Sequence, residues 1–490
     1  MRPDIFAALS KLPWWSEASA LIDNGTALAG FPILSAADHG LLARNGGTSA
    51  NDPVVAYTTQ DGCPVVSIKS NLTGGGSWGF QIKTGTLNSN DMLNSSISIL
   101  LYVPDMTNFG GFNAQIALNS SFAAANRYTV ALSPSTTAWG WNGWAMLTIS
   151  PAAEGSWATL STMSTASQWR WLPGSGATGK MADPSQYWTS LVLYSVFTGG
   201  ASGYGVEVCI AGVWLNKKET LPSIILTADD GFVSCLERSS GALDGMGPVA
   251  EEYGAKLCCG IIANTVGVAG YMTAAQWITL KNRGHEVTIH GPAGGAAPNN
   301  LTEYNSGDYA TDVAAIAADI ATHQARARNI DGLGTNLITN GSDQIYVYPQ
   351  GKYQHAKADN RIRDGLRAAG IVAARGGGLN EVMLGPQSQG NILVMPSIGH
   401  TGAAAGGAAE DTNVALVVTR MQQNAALGRT SLIMLHKMIN DGAAWDASGL
   451  SIYEANYRII LAAAKVLVDA GSAQWSTFNT YVQNRRRNVP

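Results

Sequence analysis

The sequence predicts an N-terminal antiparallel β-sandwich of the jelly-roll or lectin-like kind, followed by an α/β unit built as a distorted (β/α) barrel. Three observations carry that expectation. Eleven of the 14 tryptophans precede residue 220, whereas six of the seven histidines follow it. The first half is a series of short apolar or alternating segments broken by Gly, Ser, Asn and Pro, and the second half alternates strand-like runs with helical stretches. The expected boundaries are a helical or linker segment over 1–35, the sandwich over 36–220 and the barrel over 221–490.

In the first half the strand segments are "SWGFQIK", "SISILLYV", "RYTVALS", "WAMLTIS", "SLVLYSVF" and "GVEVCIAGVWL", separated by turn clusters such as "NLTGGG" and "LPGSGATG". Many short strands joined by polar turns indicate an antiparallel sandwich. The second half opens with "SIILTADDG", then a helix through "GPVAEEYGA" and the strand "KLCCGIIAN". In "TAAQWITLKNRG", Thr273 and Gln276 have the spacing of a capping box and Gly284 that of a helix stop. There follow the strand "HEVTIH", the helix "TDVAAIAADIATHQARARN", the strand "QIYVYP", the helix "ADNRIRDGLRAAG", the strands "GIVAAR" and "NILVMPS", the helix "VALVVTRMQQNAALG", the strand "TSLIMLH" and a helix around "YEANYRIILAAAKVLVDAG". Repeated β-then-α units imply a parallel sheet, whose ligands gather at the carboxyl ends of the strands.

Composition narrows the function classes. Charged residues make up 13%, against roughly 25% in ordinary soluble domains. The net charge of -4 offers no basic face for a phosphate backbone, so nucleic acid is excluded as an expected partner. Arg485, Arg486 and Arg487 are the one basic cluster and suit a solvated tail. The five cysteines include no C-x-x-C pair, which argues against a disulfide framework or zinc knuckle. No stretch approaches the ~20 apolar residues that span a bilayer. The N-terminal stretch lacks the unbroken apolar region of a secretory signal.

Five predicted strand ends carry polar groups: Asp229 and Asp230, His290, the "YPQG" turn with Gln350, the "PSIGH" segment ending at His400, and His436. A lone aspartate pair suits a turn or helix cap, and a lone histidine is more often a satisfied core residue. Two carboxylates and up to three imidazoles on one rim, however, suit divalent-metal binding with acid and base groups alongside. His285, five residues before His290, faces the opposite side of its strand.

These segments resemble the polysaccharide deacetylases with the nodulation-protein homology domain, carbohydrate esterase family 4. "LTADDGF" is similar to that family's T-F-D-D-G motif, "RGHEVTIHG" to its G-H-E-x-x-x-H, "YVYPQG" to its third motif and "LIMLH" to its closing L-x-x-H, over about residues 222 to 480. The resemblance implies a metal-dependent hydrolase that removes O- or N-acetyl groups from an acetylated polysaccharide. It assigns Asp229 as general base, Asp230 and His290 as ligands of a divalent metal, most simply Zn2+, His436 as general acid, and the backbone N–H of Gln350 as oxyanion donor.

Three departures stand out. Gly294 occupies the place of the family's second histidine ligand, which leaves His400, His355 and Asn299, with neighbouring Asn300, as candidates for a third ligand. His323 falls mid-helix and is expected to face away. Val347 replaces the arginine that orients the catalytic aspartate, and Arg375 is the candidate substitute. The aspartate that orients the closing histidine is not visible, with Asp411 or Glu410 as candidates. Trp139, Trp141, Trp144, Trp169 and Trp171 suit either the sandwich core or a sugar-stacking face. By analogy with phage tail fibres and tailspikes, the expected setting is extracellular or virion-associated, with other tail proteins and a homotrimer as candidate partners. The rival readings are a non-catalytic glycan adhesin on the same scaffold and a glycoside hydrolase with paired acids.

Overall fold

In the computed structural model the chain divides into two compact units, Met1–Lys218 with Gln387–Asn391 and Asn488–Pro490, and Glu219–Pro386 with Ile392–Arg487. The structure describes residues 221–487 apart from 239–241, 292–297, 299, 354, 356–358, 377–396, 400–407, 427, 429 and 444–449. Before residue 221 it describes 26–27, 39–44, 54–60, 63–69, 78–88, 92–93, 95–105, 109–118, 123–132, 143–149, 172–173, 180, 183–197 and 207–217.

The strands of the first unit are Thr26–Ala27 (β1), His39–Arg44 (β2), Val54–Gln60 (β3), Cys63–Lys69 (β4), Trp78–Asn88 (β5), Ser95–Val103 (β6), Phe109–Leu118 (β7), Arg127–Leu132 (β8), Gly143–Ile149 (β9), Leu172–Pro173 (β10), Tyr187–Phe197 (β11) and Glu207–Lys217 (β12). They form two antiparallel six-stranded sheets, one ordered β3-β4-β12-β6-β9 with β1 also on β12, the other β10-β8-β7-β11-β5-β2. Ile97, Ile99, Leu100, Leu101 and Val103 of β6 are buried. Trp188 is fully buried and meets Tyr128 edge to face at 5.3 Å. Of the segment expected to be helical or linker, only β1 is described, and it is a strand paired with β12. Trp139, Trp141, Trp169 and Trp171 lie outside the described residues, and Trp144 belongs to β9.

The second unit is an α/β structure. Its strands are Ser223–Ala228 (β13), Leu257–Ile261 (β14), Glu286–His290 (β15), Ile345–Val347 (β16), Ala373–Arg375 (β17), Ile398–Gly399 (β18), Ser431–Leu435 (β19), Lys437–Ile439 (β20), Ser451–Tyr453 (β21) and Gln474–Trp475 (β22). Its helices are Met246–Glu252 (α1), Ala274–Asn282 (α2), Tyr309–Arg328 (α3), Arg361–Ala368 (α4), Ala408–Ala426 (α5), Glu454–Asp469 (α6) and Phe478–Arg487 (α7). Eight strands make one parallel sheet, ordered β17-β16-β15-β14-β13-β19-β18 with β22 also on β13. Every residue of β13, β14, β15 and β19 is buried, as a parallel sheet covered on both faces requires. Thr273 and Gln276 form the capping box of α2, and Gly284 has φ 85° just past its end.

The sheet curls into a half-barrel. β17 and β13 are separated in the sheet by three strands, yet Arg375 at the end of β17 reaches Asp229 at the end of β13. Ser397 Oγ, just before β18, donates to the Gly376 carbonyl after β17 at 2.9 Å, so the two outer strands approach each other. No ladder joins β17 to β18 among the described residues. The expected strand "NILVMPS" lies outside the described residues except for Ser397. The three arginines expected to be a solvated cluster, Arg485, Arg486 and Arg487, are the last residues of helix α7. The start of that helix is tied to the sheet: Glu286 accepts from Asn479 N–H at 2.9 Å, and Cys258 Sγ accepts from Phe478 N–H at 3.2 Å. Burial pushes the Glu286 carboxyl up to about 7, against hydrogen bonds from Thr477 and Asn479. Among the described residues no helix is long and apolar enough to cross a membrane.

Candidate active site

The site grows from the way β13 stops. Asp229 N–H still donates to the Leu435 carbonyl at 2.9 Å, continuing the ladder with β19. The next two residues, Asp230 and Gly231, both turn left-handed, with φ 67° and 69°. Aspartate tolerates that conformation better than most residues, and glycine does so freely. The turn therefore separates two adjacent carboxylates. At Gly231 a Cβ would also sit 2.5 Å from the Trp277 ring, so the position excludes larger residues.

Asp229 is buried, 4% exposed, and its Oδ1 accepts from the guanidinium of Arg375, which is 0% exposed. Arg375 Nη1 also donates to Ser397 Oγ at 3.3 Å and to the Gly376 carbonyl at 3.4 Å. Arg375 is paired in register with Val347 on β16, the position that lacks the expected arginine. The cation thus reaches Asp229 from the neighbouring strand. The other oxygen, Oδ2, lies 3.8 Å from His436 Nε2. Burial lowers the pKa of His436, against the opposing charges of Asp229 and Asp230.

Asp230 turns to His290, whose Nε2 lies 3.1 Å from Asp230 Oδ1. His290 Nδ1 lies 2.9 Å from the Val347 carbonyl, so that nitrogen carries the proton and Nε2 is directed at Asp230. Burial works to raise the Asp230 carboxyl, but the His290 hydrogen bond and the charges of His290, His436 and Arg375 hold it below the usual range. Burial likewise opposes charge on His290, yet its hydrogen bond to Asp230 and the charges of Asp229 and Asp230 raise it. The room for this ring comes from Gly260 on β14, where a Cβ would lie 2.8 Å from His290 Cβ.

An anionic carboxylate facing an imidazole nitrogen, with the second ring nitrogen fixed by a carbonyl, is a donor set suited to a divalent cation. Asp230 and His290 fit as two ligands. Among the described residues no third His, Cys, Asp or Glu joins them. His400 and Asn299 lie outside the described residues. His355 is placed elsewhere, buried with Nε2 3.2 Å from the Tyr304 carbonyl and lowered by burial and by Arg361. Asn300 caps a short turn, accepting from Thr302 N–H at 3.0 Å, and its Nδ2 lies 3.5 Å from Gln350 Oε1.

Gln350 follows β16 and is held at φ 57°, a left-handed conformation that a non-glycine residue keeps only where its surroundings enforce it. Glu410 and Asp411 do not serve His436: Glu410 accepts from Tyr453 N–H at 2.9 Å and Asp411 from Asn456 Nδ2 at 3.1 Å. His436 Nδ1 is buried with no hydrogen-bond partner among the described residues. His323, expected to face away from the site, does not join Asp230 and His290. It is buried, its Nδ1 accepts from Ala263 N–H at 2.9 Å, and its ring abuts Gly291, where no Cβ would fit.

Gly260, Ser397 and the Val347 carbonyl were not anticipated. A glycine within the strand run "KLCCGIIAN" is the one local signal that pointed to a close approach.

Fold and site together describe a parallel α/β half-barrel with two aspartates, two histidines and an arginine gathered at its strand ends. No family model matches the chain, and no curated protein is similar to it. Among solved structures, the Streptococcus pyogenes deacetylase PplD is similar at 14% identity and TM-score 0.24, over 35% of this chain and 62% of that one. A Mycobacterium smegmatis protein named as a candidate polysaccharide deacetylase is similar at 9% identity and TM-score 0.32, over 55% and 92%. A family 11 carbohydrate-binding module of a Clostridium thermocellum cellulase is similar at 12% identity and TM-score 0.25, over 39% and 94%. The chain thus spans less than two thirds of the first of these. Similarities at these TM-scores carry no argument, and the functional reading rests on the geometry.

Proposed function

We propose that the chain is a carbohydrate deacetylase of the polysaccharide deacetylase type, hydrolysing O- or N-acetyl groups of a bacterial surface glycan. The observation that carries this reading is the division of labour between the two aspartates. Asp229 is clamped by Arg375 and sits 3.8 Å from His436, while Asp230 pairs with His290. A divalent cation such as Zn2+, held by Asp230 and His290, would supply Lewis-acid polarisation of the acetyl carbonyl.

Arg375 holds one Asp229 oxygen in place, leaving the other oxygen to take a proton from the attacking water. Burial favours neutral His436. The proton it delivers to the leaving amine or alkoxide is therefore the one Asp229 removes, passed across the 3.8 Å gap. The backbone N–H of Gln350, fixed by its strained turn, is assigned to the developing oxyanion. In this reading the two N-terminal sheets form a sandwich that holds glycan or assembles subunits, and the setting is a phage tail or another extracellular surface.

One observation favours a second reading, a glycan adhesin on the same scaffold: no third ligand joins Asp230 and His290 among the described residues. The experiment is to incubate the protein with a panel of O- and N-acetylated bacterial polysaccharides and to measure acetate and reducing ends in parallel. Acetate without reducing ends is expected. Reducing ends without acetate would replace the proposal with a glycoside hydrolase, and glycan binding without either product would replace it with the adhesin.

A further inference from the structure

Directly beside the two aspartates and His436, the chain builds a wall that the chemistry above does not use. Phe232 follows Gly231 at the end of β13, and Lys437 follows His436 at the end of β19. Tyr271 comes from the loop before α2 and stacks on Phe232, with ring centroids 5.0 Å apart and planes 18° from parallel. Lys437 Nζ lies over the Phe232 ring, 5.4 Å from its centroid. All three side chains are half-buried, so each keeps part of its surface in solvent.

The wall is held in place by backbone bonds. Val233 N–H donates to the Gly270 carbonyl and Met272 N–H to the Gly231 carbonyl, each at 3.0 Å. Met438 N–H donates to Ser234 Oγ at 3.1 Å, which fixes β20 and hence the root of Lys437. Aromatic faces pack against the apolar C–H face of a pyranose. A cation beside them adds selection by charge.

We propose that Phe232, Tyr271 and Lys437 form a subsite for an acidic sugar, its ring against the aromatic pair and its carboxylate against Lys437. The substrate class is then an acetylated glycan containing uronic acid or a comparable carboxylated unit next to the acetylated residue. The inference deepens the deacetylase reading and rests on it for the word substrate, whereas binding at the wall is separable from turnover.

The test is calorimetric titration of the full chain with two unacetylated probes of equal length, a polyuronate hexamer and a neutral glucan hexamer. Because neither probe carries an acetyl group, the result is independent of catalysis. The wild type is expected to prefer the polyuronate about tenfold at low salt, the scale of one hydrogen bond to a charged group, and to lose that preference in high salt. Lys437→Met keeps the aliphatic stem over Phe232 and is expected to abolish the preference. Lys437→Arg restores it, and Tyr271→Ala weakens both probes. Thermal unfolding checks that each variant is folded, with Lys437→Gln as the substitute if Lys437→Met is not. Equal affinity for the two probes, no binding of either, or a preference that survives loss of the Lys437 charge would overturn the proposal.

Discussion

Replacing Arg375 by methionine removes the guanidinium that holds Asp229 and leaves a chain of similar length in its place. Both partners are buried, at 0% and 4% exposure, so water cannot take over the role of the cation. Stranding one member of a buried ion pair costs about 3 to 5 kcal/mol. In a unit of this size each kcal/mol moves the unfolding temperature by about 2 to 4 °C, which gives a fall of roughly 10 °C. Turnover falls as well, by roughly the 10²- to 10⁴-fold that a positioned base contributes. The decisive assay is a double-mutant cycle with Asp229→Asn, read by thermal unfolding. If the pair acts as a charge clamp, the second substitution recovers part of the stability lost in the first, because the stranded charge is gone. Strictly additive losses, or an Arg375→Met variant within 1 kcal/mol of wild type, would refute the reasoning.

Three further outcomes follow from the same geometry. Gly260→Ala places a Cβ 2.8 Å from His290 Cβ. It is expected to displace that ring, weakening zinc binding measured by calorimetry and costing about 1 to 3 kcal/mol. His323 is lowered by burial, and by the charge of His290, from the ordinary 6.5 to about 4. In that interval the unfolded chain binds a proton that the folded chain does not, so this contribution to stability is complete above 6.5 and is lost as pH falls toward 4. The gap corresponds to on the order of 3 kcal/mol. Chemical denaturation at pH 7 and pH 4.5 should show a pH dependence in wild type that is shallower in His323→Asn, and parallel profiles would contradict it. Asp230→Ala is expected to abolish zinc binding while leaving the fold intact by circular dichroism, and undiminished zinc affinity would remove Asp230 from the ligand set.

Much of the second unit was legible because several of its parallel strands, β13 and β19 among them, are short apolar runs that stop on a polar residue. "IILTADD" and "LIMLH" announce both the strand and the rim residue, since burial on both faces leaves polar groups only at the ends. Local chemistry was legible too, as at Thr273, Gln276 and Gly284, where capping depends on neighbours in sequence. What depends on curvature was less so. Arg375 was named as the candidate substitute for the partner missing at Val347, but that it meets Asp229 requires the sheet to fold back on itself, which no local pattern shows. The burial of His323 was not legible for a related reason: helical periodicity fixes which residues share a face, but not that its ring would fill the space left by Gly291. The stacking of Phe232 on Tyr271 joins loops 39 residues apart, and no periodicity links them. That Arg485, Arg486 and Arg487 close a helix was not legible, because the two bonds that anchor α7, to Glu286 and Cys258, lie at its start.

The central claim is that Asp229 acts as the base of an acetyl-removing site that depends on a bound cation. Its most direct test is acetate release from an acetylated bacterial surface polysaccharide by four samples: the protein as purified, after chelation, after chelation with zinc restored, and as Asp229→Asn. The account predicts acetate from the first and third samples, with little or none from the second and fourth. Undiminished acetate from the Asp229→Asn protein, or acetate indifferent to chelation, would contradict it.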